Sequence, residues 1–250
     1  MLTDLDGTLL DHGGILVAEA RAALDALRRS GVPVIPLTSK TEVELRRFLS
    51  ENELGGIGSF GNGAGVIDPR GDEVVMAARP AEVLFERLAH LSTLSGVPLT
   101  PISHLSPEEL TKITGLSEAR LPAMLARRWG LPFLAPAEAG PELVRAAGRM
   151  SGIRLTRGGI FWHLSGDHGK EDALHLLFRR KAISRPIAGL GDAPNDAGFL
   201  ALCDVSFLIP GEQGEVNAEL SAAVPAGRRV TSPGGRGWAE AVHYLLGELT

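Results

Sequence analysis

Val32-Pro33-Val34-Ile35-Pro36-Leu37-Thr38-Ser39-Lys40-Thr41 runs from a short apolar segment into hydroxyl side chains and a helix start. Such a run reads as a buried strand. Before it, Ala18 to Ser30 is rich in Ala, Leu and Arg and stops at Gly31, a helix C-terminal signal. After it, Thr41 and Glu44 have the spacing of a capping box and open a helix to about Glu53. Ile57 to Phe60 reads as the next strand and ends in Gly61-Asn62-Gly63. Alternation of strand and helix predicts a parallel sheet covered by helices.

The rhythm changes between residues 66 and 165. Val66-Ile67, the turn Asp68 to Asp72, and Glu73 to Met76 read as a hairpin. Helices are expected over 80–95, 106–114, 118–129 and 138–150, the second with Ser106 as N-cap, Pro107 in the first turn and Glu109 at the box position. Short strands are expected at 131–134, 153–156 and 160–164. From Gly169 onward alternation returns: a helix over 170–181, a strand at 186–190, a helix after Pro194, a strand at 205–209 and a helix over 237–249. The expected architecture is α/β, a Rossmann-like, doubly wound parallel-sheet core with an inserted α+β cap domain. Residues 1–65 and 166–250 would form the core and 66–165 the cap. Only three residues precede Asp4, few for a central strand of ~5–6. Either that strand is short or the natural chain begins earlier.

Composition narrows the function. The 250 residues are 44% hydrophobic and 22% charged, as in a folded globular protein. No apolar run reaches the ~18–20 residues of a membrane helix, and the acidic N-terminus is unlike a signal peptide, so a cytoplasmic protein is expected. A single cysteine, Cys203, excludes an intrachain disulfide and a thiolate metal cluster. The net charge of −5 offers no basic surface for nucleic acid or anionic lipid. Only four of the 25 basic residues are lysines, and two of these, Lys40 and Lys170, fall in the segments that carry chemistry.

Those segments sit at strand ends. Asp4-Leu5-Asp6-Gly7-Thr8-Leu9 follows the first strand, Thr38-Ser39 the second, and Gly191-Asp192-Ala193-Pro194-Asn195-Asp196 the strand near 190. In an open α/β sheet ligands bind beyond these carboxyl ends. Alternation lets Asp4 and Asp6 point the same way, and Gly7 lets the backbone turn away. Phosphoryl transfer needs a nucleophile, a proton shuttle and a cation to neutralise charge. Lys170, opening a helix after Gly166-Asp167-His168-Gly169, would keep Asp4 ionised and balance phosphate charge. Asp192 and Asp196 add the oxygen-only ligands that suit Mg²⁺. Each fragment alone reads equally as an acidic turn, a helix cap or a solvated lysine.

Together, in this order, D-x-D-G-T, T-S, a lysine and G-D-x-x-N-D resemble the motifs of the haloacid dehalogenase superfamily of phosphotransferases across essentially the whole chain. The resemblance implies that Asp4 attacks phosphorus and that Asp6 protonates the leaving oxygen and then activates water. It implies Mg²⁺ held by Asp4, the Asp6 carbonyl and Asp192, with Thr38 and Lys170 on the phosphoryl group and Asn195 and Asp196 ordering phosphate, lysine or metal waters. The insert lies where the sugar-phosphatase branch carries its α/β cap.

Further segments are similar to the mannosyl-3-phosphoglycerate phosphatase subfamily. Thr38-Ser39-Lys40-Thr41 resembles its S/T-S-K-T motif, and Ser59 to Ala64 its E-N-G-A region. Arg127 to Phe133 resembles R-E-F-D-E-P-F, Thr156 to Leu164 resembles T-R-G-G-R-F-Y-H-L, and Pro233 to Trp238 echoes P-G-P-E-G-W. Arg128, Gly130, Leu131 and Ile160 depart from those patterns. The resemblance implies substrate contacts from Ser39, Lys40, Asn62, Arg127, Arg157, His163 and Asn195, a glycosyl phosphoglycerate as substrate, and a place in making the compatible solute mannosylglycerate. A general sugar phosphatase is the nearest rival, followed by a phosphomutase. A receiver domain would lack Asp6, and a catalytically silent sugar-phosphate binder would show no turnover.

Overall fold

The computed structural model describes residues 1–250 except 12, 69–72, 76–80, 158–159 and 249–250. The chain begins with β1 (Leu2–Thr3), α1 (Ala18–Arg29), β2 (Ile35–Pro36), α2 (Glu42–Glu51) and three strands, β3 (Gly58–Phe60), β4 (Gly65–Ile67) and β5 (Glu73–Val75). Next come α3 (Ala81–Ser95), β6 (Thr100–Pro101), α4 (Pro107–Thr114), α5 (Leu121–Leu125), β7 (Gly130–Leu134), α6 (Gly140–Ala147), β8 (Arg154–Arg157) and β9 (Trp162–Ser165). The last are α7 (Lys170–Arg179), β10 (Ala188–Gly191), α8 (Ala197–Leu200), β11 (Val205–Leu208), α9 (Ala218–Ala223), β12 (Arg228–Arg229) and α10 (Gly234–Glu248).

Five strands form a sheet in the order β12-β11-β10-β1-β2, parallel throughout. From β1 the chain crosses to β2 on one side, and from β10 to β11 on the other. The crevice between β1 and β10 is therefore the switch point at which open α/β sheets bind ligands. β1 is two residues long but is paired on both edges, Leu2 with Gly189 and Ile35, and Thr3 with Leu190 and Pro36.

Alternate side chains feed two cores, as a sheet covered on both faces requires. Leu5, Leu24, Phe207 and Trp238 pack on the face covered by α1 and α10. Leu2, Ile35, Leu174 and Phe199 pack on the other, under α7 and α8. A four-stranded antiparallel sheet, β6-β7-β9-β8, forms the cap and has its own core of Leu84, Leu91, Phe133, Leu143 and Leu164.

Several expectations change. The segment 57–60 does not extend the parallel sheet as a full strand: β3 pairs antiparallel with β4 and touches the β2 end only through a bridge between Leu37 and Ser59. Pro36 brings no N–H to extend that ladder. The β4 side chains Val66 and Ile67 enter the two cores of the parallel sheet, although the sequence places them in the insert. The helix expected over 118–129 shrinks to a 3₁₀ turn, 118–120, and α5, because residues 126–129 make contacts with the core sheet instead. The helix expected over 138–150 is a 3₁₀ turn, 137–139, followed by α6. α10 starts three residues early, and α9 and β12 carry no strong sequence signal. The turn 69–72 and Met76, like Pro80, Gly158 and Gly159, lie outside the described residues. No helix among the described residues is long and apolar enough to cross a membrane.

Trp238, fully buried, ties α10 to the strand under the site: Nε1 donates to Thr3 Oγ1 at 2.9 Å, and that hydroxyl donates to the Asp4 carbonyl at 2.6 Å. Trp238→Phe removes the donor to the buried Thr3 hydroxyl, which keeps only its bond to the Asp4 carbonyl, and should cost about 0.5–1.5 kcal/mol in urea unfolding. An unchanged midpoint would show that the indole does not brace β1.

Candidate active site

The end of β1 delivers Asp4 to the switch point, with its amide bonded to Leu190 O at 3.0 Å. Two residues on, Asp6 clears the sheet, and Gly7 at φ +84° lets the chain turn back so that its amide reaches Leu10 O. The end of β10 delivers Asp192, and the turn after it returns Asp196 beneath. One Asp196 oxygen accepts from the amides of Asp192 and Ala193, at 3.1 and 3.0 Å. The other faces Lys170.

Lys170 starts α7, and its side chain is fully buried. Nζ donates to Asp4 Oδ1 and to Asp196 Oδ1, both at 2.6 Å. Carboxylate oxygens of Asp4, Asp192 and Asp196 all lie within 4.8 Å of one another. Thr8 Oγ1 donates to Asp192 Oδ1 at 2.7 Å. Thr8, the threonine of the D-x-D-G-T motif, is fully buried, and this bond links the β1 end to the β10 end.

The electrostatics follow from this crowding. Burial raises the Asp4 pKa to about 7, with Lys170 opposing and Asp196 and Asp6 adding to the shift. Burial, then Asp4 and Asp196, push Asp192 well above its ordinary value. Burial works against the Lys170 charge, but Asp196 and Asp4 outweigh it and raise its pKa. Three carboxylates thus face one ammonium. With all three ionised they outnumber the ammonium by two charges, and the donors are all oxygen, the set that hard cations take.

The second strand's end sets the other wall. Thr38 is fully buried; its amide bonds Ser59 O at 2.9 Å, and its Oγ1 accepts from the Lys40 amide at 3.1 Å. Lys40 Nζ sits 2.7 Å from Asp6 Oδ1, so the Asp6 side chain stands apart from the three-carboxylate cluster. Asn62 adopts a left-handed φ of +58° and accepts from Asn195 Nδ2 at 3.0 Å. Gly63 makes this possible: a Cβ there would lie 1.9 Å from the Gly169 carbonyl oxygen, so only glycine lets the loop press against the start of α7.

From the cap, Arg127 Nη1 donates to Ser39 O at 2.8 Å, and Thr41 Oγ1 of the core donates to Ala123 O at 3.2 Å. Ser39, Asn62, Arg127, Arg157, His163 and Asn195 line one cavity between cap sheet and core. Asp6 and Lys40 line a neighbouring cavity that shares Ser39 and Arg127. Burial and then the Arg127 charge lower the His163 pKa to about 3, so its imidazole is neutral. Arg157 is exposed and lies over the Trp162 ring, 5.0 Å from its centroid. The residues named from the sequence therefore divide into the buried cluster Asp4, Lys170, Asp192 and Asp196, the adjoining Asp6, Thr38 and Lys40, and the cavity wall.

Residues 1–98 match the family model of haloacid dehalogenase-like hydrolases. A glucosyl-3-phosphoglycerate/mannosyl-3-phosphoglycerate phosphatase of Methanococcoides burtonii is 27% identical over 270 residues, covering 99% of this chain and 97% of that protein. A protein of the same name from Persephonella marina is 28% identical over 273 residues, covering 100% and 97%. A haloacid dehalogenase-like hydrolase from B. subtilis superposes with a TM-score of 0.73 at 17% identity, covering 98% of this chain and 99% of that one. A subclass IIB sugar phosphatase of the superfamily gives 0.71 at 17% identity, covering 98% and 97%. At those identities the two structures establish the shared fold, a parallel-sheet core with an antiparallel-sheet cap.

The raised carboxylates make a testable demand on stability. Asp4 and Asp192 titrate higher in the folded chain than in the unfolded one, so the native state holds more protons and stability falls as pH rises. In chelator, the melting temperature relative to that of Asp192→Asn should fall from about pH 5 to about pH 7, and a divalent cation should raise that of the wild type more at the higher pH. The Lys170 shift acts only in alkali, whereas the lowered His163 and His168 act within this window in the opposite sense and cancel in the comparison. A flat profile, with equal cation effects at both pH values, would contradict the crowding.

Proposed function

Starting from the haloacid dehalogenase superfamily, which this chain resembles in motif, sequence and fold, we propose that it is a cytoplasmic, Mg²⁺-dependent phosphatase that hydrolyses mannosyl-3-phosphoglycerate to mannosylglycerate and phosphate. The observation that carries this reading is the position of Asp4, at the sheet's switch point, bonded to Lys170 and flanked by Asp192 and Asp196. In this reading residues 1–65 and 166–250 are the catalytic core and 66–165 the specificity cap. The names of the two relatives, aligned over their whole length, support the substrate class.

The chemistry follows from the side chains. A carboxylate oxygen of Asp4 attacks phosphorus, the ester P–O bond breaks, and Asp6 gives its proton to the departing alkoxide. Asp6, now ionised, takes a proton from water, which attacks the aspartyl phosphate, releases inorganic phosphate and restores Asp4. Lys170 has two N–H groups on Asp4 and Asp196 and a third to direct at the phosphoryl group. The Thr38 hydroxyl, buried at the end of β2, donates to another phosphoryl oxygen. Mg²⁺ bound by Asp4, the Asp6 carbonyl and Asp192, with Asp196 behind them, would supply charge neutralisation for the phosphoryl oxygens. Ser39, Lys40, Asn62, Asn195, Arg127, Arg157 and His163 would hold the remainder of the substrate.

Phosphate release from mannosyl-3-phosphoglycerate, its glucosyl counterpart and simple hexose phosphates, each with Mg²⁺ and with chelator, tests the reading. The glycosyl phosphoglycerates should turn over fastest, and only with the cation. Hexose phosphates turning over as well would favour a general sugar phosphatase. Asp6→Asn should lower kcat by about 10²–10⁴. Asp4→Asn should abolish turnover, and a variant that kept it would refute the covalent route.

A further inference from the structure

The segment after β2 is gripped from two sides. From the core, the Asn62 amide donates to Thr38 O at 2.9 Å and the Gly61 amide to Lys40 O at 2.7 Å. The carbonyl between them, Ser39 O, is taken by the cap through Arg127 Nη1 at 2.8 Å. Thr41 Oγ1 adds a second bond to the cap, at Ala123 O, 3.2 Å away. One residue beyond Ser39, Lys40 Nζ donates to Asp6 Oδ1 at 2.7 Å. Among the described residues Lys40 is the one group hydrogen-bonded to the Asp6 side chain. A continuous chain of contacts therefore runs from the cap to the carboxylate assigned the proton transfers: Arg127, Ser39 O, Lys40, Asp6.

Arg127 is poorly placed to serve as a ligand to substrate. Its Nε is sealed from water, and Nη1 is spent on Ser39 O. The side chain lines both the cavity under the cap sheet and the neighbouring cavity that contains Asp6, so it stands as a partition between them. Burial works against its charge, and Glu44 and then Asp6 are the carboxylates that support it. Glu44 is tied into the α2 capping box, with Oε2 accepting from the Thr41 amide and hydroxyl, both at 2.8 Å. A general acid works only within hydrogen-bond reach of the proton it moves. We propose that Arg127 is a positioning residue for Asp6: by holding Ser39 O it sets the loop that places Lys40, so Asp6 is aimed only when the cap is seated on the core. This rests on the phosphatase reading and deepens it, moving Arg127 from the substrate's contacts to the machinery that aims Asp6.

A double-mutant cycle tests this with Mg²⁺ present, on the alkyl ester that the wild type hydrolyses fastest. Arg127→Met should lower kcat at least about tenfold and change KM less than about threefold. In an Asp6→Asn background the same substitution should cost less than about twofold, because the group it positions is already gone. p-Nitrophenyl phosphate is the control: its leaving group departs without a proton, so Arg127→Met should leave its kcat/KM within about threefold. Arg127→Lys keeps the cation without the forked donor, should lose kcat less steeply with the same non-additivity, and carries the cycle if Arg127→Met does not fold. An unchanged kcat, a loss that appears in KM, a loss that multiplies with Asp6→Asn, or an equal loss on p-nitrophenyl phosphate would each overturn the proposal. Any of these leaves the phosphatase standing. A wild type that hydrolyses no ester would instead remove the phosphatase reading itself.

Discussion

Lys170 holds the site together by donating to Asp4 and Asp196 at once, with no part of its side chain in water. A buried ammonium is tolerable only if it is paired and hydrogen-bonded, and removing both carboxylates would leave an uncompensated charge. That requirement fixes three distant pieces of chain against one another: the end of β1, the start of α7 and the turn after β10. The same arrangement leaves more negative than positive charge in the crevice. The site is thus assembled by the lysine and carries an excess of carboxylates over cations.

The surrounding fold serves this constraint. β1 has only two residues, yet it is clasped by parallel neighbours on both edges and braced from behind by Trp238 through Thr3. Gly63 lets the loop that carries Asn62 lie against the Gly169 carbonyl, so the cavity wall and the start of the lysine's helix are in direct contact. The cap meets the core at the segment 123–129, through Ala123, Arg127 and Trp129. Those contacts give the cavity its ceiling close to the Asp4 and Asp6 strand end.

The acidic cluster was legible in the sequence because Asp4 and Asp192 each follow a short buried strand, Asp196 closes the next turn, and Lys170 opens a helix after a glycine. The capping boxes at Thr41 and Ser106 formed as their spacing implied. Elements fixed by tertiary contact were harder to read. Residues 126–129 have helical composition, but they leave the helix to reach Ser39 and the core. β3 has a strand's composition, which says nothing about whether it pairs with β2 or β4. α9 is six residues long, too short for a helical period to show, and its Asn217 cap alone does not mark a helix. The Lys40–Asp6 pair and the Arg127 bond to Ser39 O depend on distances that no spacing rule encodes.

The most direct test is to trap the enzyme in turnover. Acid quenching during hydrolysis of mannosyl-3-phosphoglycerate, followed by borohydride reduction and peptide mass spectrometry, reads which carboxyl carried phosphate. The account predicts homoserine at position 4 and at no other aspartate. Reduction at Asp6, Asp192 or Asp196, or rapid turnover with no modified aspartate at all, would contradict it.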